Sequence, residues 1–203
     1  MELGILFLCS FLLGAVPFGL LIGKLVKGID IRLYGSGNIG TTNVIRIFGP
    51  VWGSIVFVLD VLKGFVPTYI ALKLNLSSDW FVVLAGALSV FGHTFSPFLK
   101  FKGGKGVATS LGLIIGLNPI ISAITFGIFV LVLSASKYVS LSSCIATLSV
   151  FFMMLLWKSM NVPTSFQIVV GILALAIVLK HIPNFKRIAN KTEPKIGQRV
   201  KIN

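Results

Sequence analysis

The chain has 203 residues, of which 56% are hydrophobic, with a mean hydropathy of +1.00. These values exclude an ordinary soluble domain and predict an all-α polytopic membrane protein built as a single domain over 1–203. The 18 lysines and arginines outnumber the 5 aspartates and glutamates. Because the basic residues lie in loops between apolar segments rather than on a soluble module, we expect no nucleic-acid partner.

Seven apolar segments predict seven transmembrane helices, one of them short. The fourth segment, at about 1.5 Å per residue, reaches only about half-way across a hydrocarbon core of roughly 30 Å, so we expect it to be tilted or re-entrant. The first segment lacks a preceding basic region and is expected to be a retained span rather than a cleaved signal. The segments are 3–23, 47–72, 80–99, 107–117, 120–136, 139–157 and 164–179.

The distribution of charge predicts the orientation. With the N-terminus outside and the C-terminus in the cytoplasm, the cytoplasmic segments are 24–46, 100–106, 137–138 and 180–203, and they hold 15 of the 18 lysines and arginines. This arrangement satisfies the positive-inside rule and places every basic or glycine-rich motif on the cytoplasmic face. Orientation alone is the preferred explanation for the charges of Lys24, Lys27, Lys195, Arg199 and Lys201.

A glycine-rich segment follows the first span, from Tyr34 to Arg46. It contains G-x-G-x-x-G, but without a βαβ context a dinucleotide site is not expected. Arg46 can bind a phosphate through two parallel hydrogen bonds, and small polar residues precede it. A helix cap and turn is the structural alternative. The candidate ligand-binding residues are Ser36, Gly37, Asn38, Gly40, Thr42, Asn43 and Arg46.

A second glycine-rich segment lies between the third and fourth predicted spans. Its lysines and closely spaced glycines, followed by a helix start, are typical of a phosphate cradle. It is not a Walker A loop, because glycine rather than serine or threonine follows Lys105. His93 either caps its helix or orients a ligand. The candidate residues are His93, Lys102, Gly103, Gly104, Lys105, Gly106 and Thr109.

Polar residues also lie at the ends of later spans. His181 and Asn184 are three residues apart at a helix end and could reach one site. Ser140 and Ser143 add hydroxyls near the same face, although serines are also ordinary packing residues in membranes. Within the second span, Asp60 and Lys63 are expected to form a buried ion pair.

The inventory of reactive groups limits the chemistry. The five carboxylates and two histidines form no ligand-like spacing, and Cys9 and Cys144 lie in apolar runs, so we expect neither a metal nor another cofactor. No carboxylate is evident in the candidate site for a Ser-His-Asp triad, and no aspartate follows either histidine at acyltransferase spacing. Cations, amides and hydroxyls remain, which suit an already activated substrate such as an acyl phosphate.

The three motifs resemble those of the bacterial acyl-phosphate:glycerol-3-phosphate acyltransferases, the PlsY family. The segments concerned are 36–46, 92–109 and 181–193, in the family's order, with Asp60-x-x-Lys63-Gly64 between the first two. The resemblance adds Arg187 and Glu193 to the substrate-binding candidates. Small departures are Ile39 and Thr41, where the family more often has proline and alanine, and Lys180, where arginine commonly precedes the histidine.

The resemblance implies a multi-pass enzyme of the bacterial cytoplasmic (inner) membrane, with its active site on the cytoplasmic face. It implies transfer of a fatty acyl group from acyl phosphate to the 1-position of glycerol 3-phosphate, giving lysophosphatidate and phosphate, without a metal. Its partners are then the two substrates and the lipid bilayer, with no obligate protein partner.

Roles carried over by the resemblance divide the site between two substrates. Lys105, Ser36 and the glycine-rich backbone hold the acyl phosphate, while Arg46, His181, Asn184 and Ser143 place glycerol 3-phosphate. The hydroxyl attacks the carbonyl directly. Ser36 as a covalent nucleophile is the alternative, but it lacks an obvious activator.

Two other classes of protein remain open. A transporter of organic phosphates would use the same cations at a half-helix but should contain internal repeats, and none is convincing. A lipid-binding scaffold would explain the basic tail but not the Gly-Gly-Lys-Gly turn.

Overall fold

The structure is a computed structural model that describes residues 2–200, and Lys201, assigned above to orientation, lies outside them. The described part of the chain is helical, with no β-strand. Its α-helices are α1 (Glu2–Ala15), α2 (Phe18–Lys27), α3 (Thr41–Phe48), α4 (Pro50–Lys73), α5 (Asp79–Thr94), α6 (Val107–Leu117), α7 (Pro119–Ser136), α8 (Val139–Leu156), α9 (Thr164–Lys180) and α10 (Ile182–Ala189). Short 3-10 turns lie at Ile31–Leu33, Pro97–Leu99 and Lys158–Met160.

Four to six of these units are long and apolar enough to cross a membrane. α4, α7, α8 and α5 with its following turn qualify alone, whereas α1 with α2 and α9 with α10 qualify only as bent pairs, with bends of 41° and 43°. The short apolar helix α6 covers the bounds predicted for the fourth segment, 107–117. Asn118 ends it and caps α7, accepting from the N–H groups of Ile120 and Ile121.

Two predicted spans differ from the observed helices. The segment 3–23 is interrupted between Ala15 and Phe18, because Pro17 lacks the N–H that would continue the helix. The segment 47–72 combined the end of α3 with α4, which begins at Pro50. Proline is favourable in the first helical turn, where its missing N–H would have no partner within the helix.

Close contact between α4 and α6 places the start of α6 in the middle of the fold. A Cβ atom added at Gly112 would lie 1.9 Å from the carbonyl oxygen of Val61, and one added at Gly64 would lie 2.0 Å from that of Thr109. Neither position accepts a side chain unless the helices separate. The small residues therefore let the two backbones touch, as is common between membrane helices.

The expected ion pair within α4 is confirmed. Lys63 Nζ lies 2.8 Å from Asp60 Oδ1, and the two side chains are only 1% and 3% exposed. Lys63 also donates a hydrogen bond of 3.1 Å to the carbonyl of Val16, at the break between α1 and α2. Lys63 thus neutralises the buried charge of Asp60 and also gives a hydrogen-bond partner to the carbonyl of Val16, where the first span is interrupted.

Candidate active site

A cavity of about 430 Å³ joins the three motifs. Its polar end lies between α3, the start of α6, the end of α9 and the segment after α10. From there it continues as an apolar channel between α6, α7, α8 and α9. The channel residues include Leu111, Ile114, Phe126, Phe129, Leu133, Ala146, Val150, Val170, Leu173 and Ile177.

The carboxamide of Asn43 organises the first glycine-rich segment. Its oxygen accepts from the N–H of Ser36 at 2.9 Å, and its nitrogen donates to the carbonyls of Ile31, Tyr34 and Asn38 at 2.9 to 3.2 Å. The buried side chain is therefore occupied in folding the loop, although it borders the cavity. Asn43 is accordingly less suited than Ser36 to bind a substrate, because Ser36 also borders the cavity and its hydroxyl makes no hydrogen bond within residues 2–200.

The second glycine-rich turn packs on the end of α5. The N–H of Gly104 donates to the carbonyl of His93 at 3.0 Å, and a Cβ atom at Gly104 would lie 2.1 Å from Nε2 of the same histidine. Only glycine fits at this contact. The first turn of α6, including Gly106 and Val107, borders the cavity beside Lys105. Because the first N–H groups of a helix lack intrahelical partners, this turn is suited to an anion.

The side chain of Glu193 connects, directly or through Asn184, residues from three other parts of the chain. Its Oε1 accepts from Asn184 at 2.7 Å and from Ser140 at 3.0 Å, while Oε2 accepts from Arg187 Nε at 2.7 Å. Asn184 in turn accepts a hydrogen bond from Lys105 Nζ. Glu193, which only the resemblance adds to the candidates, therefore borders the cavity as a carboxylate that the residues alone did not make evident. Sequence spacing could not reveal this, because Asn184 links Glu193 to Lys105 only in the folded chain.

His181 is fixed by its own helix. Its Nδ1 lies 2.8 Å from the carbonyl of Ile177, which requires the proton on Nδ1 and leaves Nε2 as an acceptor in the neutral ring. The hydrogen-bond partners of Glu193 do not include this histidine. His181 and Glu193 therefore do not form the histidine–acid pair of a triad.

Fourteen of the twenty candidate residues border the cavity. They are Ser36, Asn38, Gly40, Thr42, Asn43, Arg46, His93, Lys105, Gly106, Ser140, Ser143, His181, Asn184 and Glu193. Six do not: Gly37, Lys102, Gly103, Gly104, Thr109 and Arg187.

Three of the six have a supporting position. Gly103 and Gly104 pack the turn against α5, and Arg187 holds Glu193. Lys102 is exposed and does not border the cavity, so the structure does not support a role for it in ligand binding. Conversely, Lys195 borders the cavity, together with Ile196 and Gly197, so the assignment of Lys195 to orientation alone is incomplete. The sequence around Lys195 does not distinguish it from the other lysines of the C-terminal segment, so its place at the cavity could not be predicted.

At the polar end of the cavity, the pKa values of Lys105 and Glu193 are both shifted downward, for different reasons. Burial, reinforced by Arg187 and Arg46 and opposed by Glu193, lowers the pKa of Lys105 to about 8. Burial acts to raise the pKa of Glu193, but hydrogen bonds from Asn184, Arg187 and Ser140 outweigh it, so the net direction is downward. Glu193 therefore remains an acceptor near neutral pH, while Lys105 is a cation that can lose its proton in mildly alkaline solution.

The geometry favours anion binding over metal binding. Residues 2–200 contain no group of three or more histidine, cysteine, aspartate or glutamate side chains able to hold a metal ion. The cations Arg46 and Lys105, together with hydroxyl and backbone N–H donors, lie at one end of an apolar channel. This combination can bind phosphate groups next to a long hydrocarbon chain.

Comparison with known proteins agrees with this geometry. A family model described as glycerol-3-phosphate acyltransferase matches residues 4–191. Proteins of that name from Acholeplasma laidlawii and Bacillus subtilis (strain 168) are each 41% identical, covering 95% and 97% of this chain and 92% and 98% of their own lengths. The crystal structure of PlsY (YgiH), an integral membrane glycerol 3-phosphate acyltransferase, is 37% identical in its glycerol 3-phosphate form, with a TM-score of 0.90 over 97% of this chain and 96% of that chain. The lysophosphatidic acid form has a TM-score of 0.88 at 36% identity, over 98% of this chain and 97% of that chain.

The pKa of Lys105 predicts a pH dependence of anion binding. As pH rises through about 8 the amine becomes neutral, so the affinity for sulfate, a dianion throughout this range, should fall about tenfold between about pH 7 and about pH 9. Calorimetric titration of the protein in detergent measures this. The Lys105→Arg variant should keep its affinity at the higher pH, and Lys102→Ala should behave as the unmodified protein. A pH-independent affinity in the unmodified protein would contradict the assignment.

Proposed function

Because the chain belongs to the glycerol-3-phosphate acyltransferase family, we propose that it transfers a fatty acyl group from an acyl phosphate to the 1-hydroxyl of glycerol 3-phosphate. The products are lysophosphatidic acid and phosphate, and the reaction is an early step of bacterial phospholipid synthesis. The observation that carries this proposal is the cavity, in which phosphate-binding groups adjoin an apolar channel. The related PlsY structures are described as glycerol 3-phosphate and lysophosphatidic acid forms, which match the acceptor and the product.

The lack of an activated nucleophile supports an acyl phosphate as donor. Ser36 borders the cavity, but its loop provides no histidine or carboxylate hydrogen-bonded to its hydroxyl. Direct transfer therefore needs a donor whose leaving group departs readily, and phosphate is such a group when cations neutralise it. No cofactor, metal or protein partner enters this reaction.

Each substrate has its own group of residues. Lys105, Ser36 and the backbone of the glycine-rich turn bind the acyl phosphate. Arg46 binds the phosphate of glycerol 3-phosphate, and Asn184 and His181 orient its glycerol hydroxyls. Arg46 is suited to this role because, within residues 2–200, its side chain makes one hydrogen bond, at 3.0 Å to the carbonyl of Pro194, and it carries five N–H donors.

The transfer step follows from this placement. The 1-hydroxyl oxygen attacks the acyl carbonyl carbon, the bond from that carbon to the phosphate oxygen breaks, and the hydroxyl proton passes to a phosphate oxygen. Lys105 and nearby N–H donors stabilise the developing negative charge, while Nε2 of His181 accepts a hydrogen bond from the acceptor substrate. In this mechanism the protein holds the two substrates in position for attack and does not need a strong base of its own.

We assign the acyl chain to the apolar channel. The side chains that border it come from α6 to α9, and its far end along α8 is Val150. That residue lies about 16 Å from Val139 at roughly 1.5 Å per residue. The channel is therefore long enough for much of a fatty acyl chain.

The protein is an integral membrane protein of helical fold, for which we propose seven crossings, with α6 the short one, over a single domain of residues 1–203. The site then faces the cytoplasm in the bacterial inner membrane, with the N-terminus outside. A cysteine at exposed position Lys102 should react with an impermeant maleimide only from the cytoplasmic side. A cysteine at exposed Asp79 should react only from the other side, and the reverse pattern would overturn the orientation.

The acyl-transfer activity is tested with purified protein in lipid. Given acyl phosphate and glycerol 3-phosphate, it should form lysophosphatidic acid, measured by thin-layer chromatography with radiolabelled substrate. Lys105→Ala should lower kcat/KM by at least about 100-fold, because the cation at the leaving phosphate is lost, whereas Lys102→Ala should leave it unchanged.

Two results would contradict this proposal in different ways. Folded protein that forms no lysophosphatidic acid would exclude the activity itself. An acyl-enzyme trapped after mixing with acyl phosphate alone would exclude direct transfer but leave the overall reaction intact.

The channel predicts a chain-length effect. Val150→Phe places a larger side chain at the far end of the channel, so the KM for palmitoyl phosphate should rise about tenfold while that for lauroyl phosphate changes little. Leu148→Phe, at an exposed position outside the cavity, is the matched control. Equal effects of Val150→Phe on both donors would place the acyl chain elsewhere.

A further inference from the structure

The segment that follows Glu193 crosses the polar end of the cavity. We call residues 194–200 the C-terminal strap. The carbonyl of Pro194 accepts from Arg46 Nη2 at 3.0 Å, and the N–H of Val200 donates to the carbonyl of Arg46, also at 3.0 Å. The N–H of Ile196 donates to the carbonyl of Lys137, between α7 and α8, at 2.9 Å. The strap therefore holds one arginine at both its side chain and its backbone.

The strap is also part of the cavity wall. Lys195, Ile196 and Gly197 border the cavity, and the amine of Lys195 lies over the ring of Tyr138, 5.7 Å from its centre. The strap therefore supplies both hydrogen bonds to Arg46 and part of the cavity lining.

We propose that the C-terminal strap positions Arg46 for the phosphate of glycerol 3-phosphate and forms the wall of that substrate's entrance, an inference that rests on the proposed function. A long arginine side chain loses rotamer freedom when it binds a phosphate, and this loss weakens binding unless the side chain is already held. The hydrogen bond to Pro194 holds the guanidinium while leaving its other donors for the ligand.

The strap should act on one substrate only. Glycerol 3-phosphate is charged and water-soluble, so it reaches the cavity through the polar end, which the strap borders. The acyl phosphate places its hydrocarbon chain in the channel between α6 and α9, away from the strap, and its phosphate at Lys105. Lys105 is held by Asn184 rather than by the strap.

The test compares two shortened chains in the lipid assay. A chain that ends after Lys195 loses the hydrogen bonds made by Ile196 and Val200 but keeps the Glu193 network. Its KM for glycerol 3-phosphate should rise about tenfold, because Pro194 and its bond to Arg46 are no longer anchored by the backbone hydrogen bonds of Ile196 and Val200, while its KM for acyl phosphate changes less than about twofold. A chain that ends after Val200 keeps the three strap hydrogen bonds described above and should match the full chain.

The ratio of the two KM values separates positioning from a loss of folded protein. A smaller folded fraction lowers the apparent kcat but leaves both KM values unchanged. If the shorter chain does not fold, Val200→Pro in the full chain removes only the N–H that binds the Arg46 carbonyl, and the same selective rise should appear.

The outcomes are distinct. A selective rise in the KM for glycerol 3-phosphate supports the proposal, whereas unchanged or equally raised KM values overturn it. An inactive full-length chain would instead overturn the acyl-transfer function, and the strap's role with it.

Discussion

The buried carboxylate of Glu193 holds the polar end of the cavity together. A single ionised side chain accepts hydrogen bonds from Asn184, Ser140 and Arg187, and through Asn184 it reaches Lys105. A buried carboxylate needs several donors to remain charged, and its three donors come from α8 and α10. The requirement therefore fixes α8 against α10, and Asn184 extends the network to Lys105, just before α6. The hydrogen bonds of Glu193 therefore also set the positions of the neighbouring residues that are proposed to bind phosphate.

The second constraint is the short length of α6. A helix that crossed the whole membrane would place its N-terminus at the surface, whereas α6 begins within the fold, against α4 at Gly64 and Gly112. Its first turn and Lys105 thereby meet the apolar channel as well as the polar loops. One cavity can then hold a charged head and a hydrocarbon chain side by side, which an acyl transfer from a membrane-embedded donor requires.

The sequence predicted the parts of the fold that have strong local signals. The bounds of α6 follow from the glycine-rich turn before it and Asn118-Pro119 after it, and the Asp60–Lys63 pair follows from helical spacing. The break at Pro17 was missed, because proline is tolerated within membrane helices and its effect depends on neighbouring helices. The central place of Glu193 and the contacts of the C-terminal strap were also missed. Both depend on residues far apart in the chain, which neither periodicity nor motif spacing records.

The ion pair within α4 has a consequence for assembly in the bilayer. Asp60 and Lys63 lie one turn apart on the same helix, so each charge already has its counter-charge before another helix arrives. The middle of an isolated α4, where this pair lies, can therefore enter the lipid without a net charge, at far less cost than a helix with one unpaired charge there. The bond from Lys63 to Val16 then forms as the first helices pack against α4. The ion pair thus stabilises α4 in the bilayer before the helices associate. Insertion of α4 into the membrane then does not depend on its packing against the first helices.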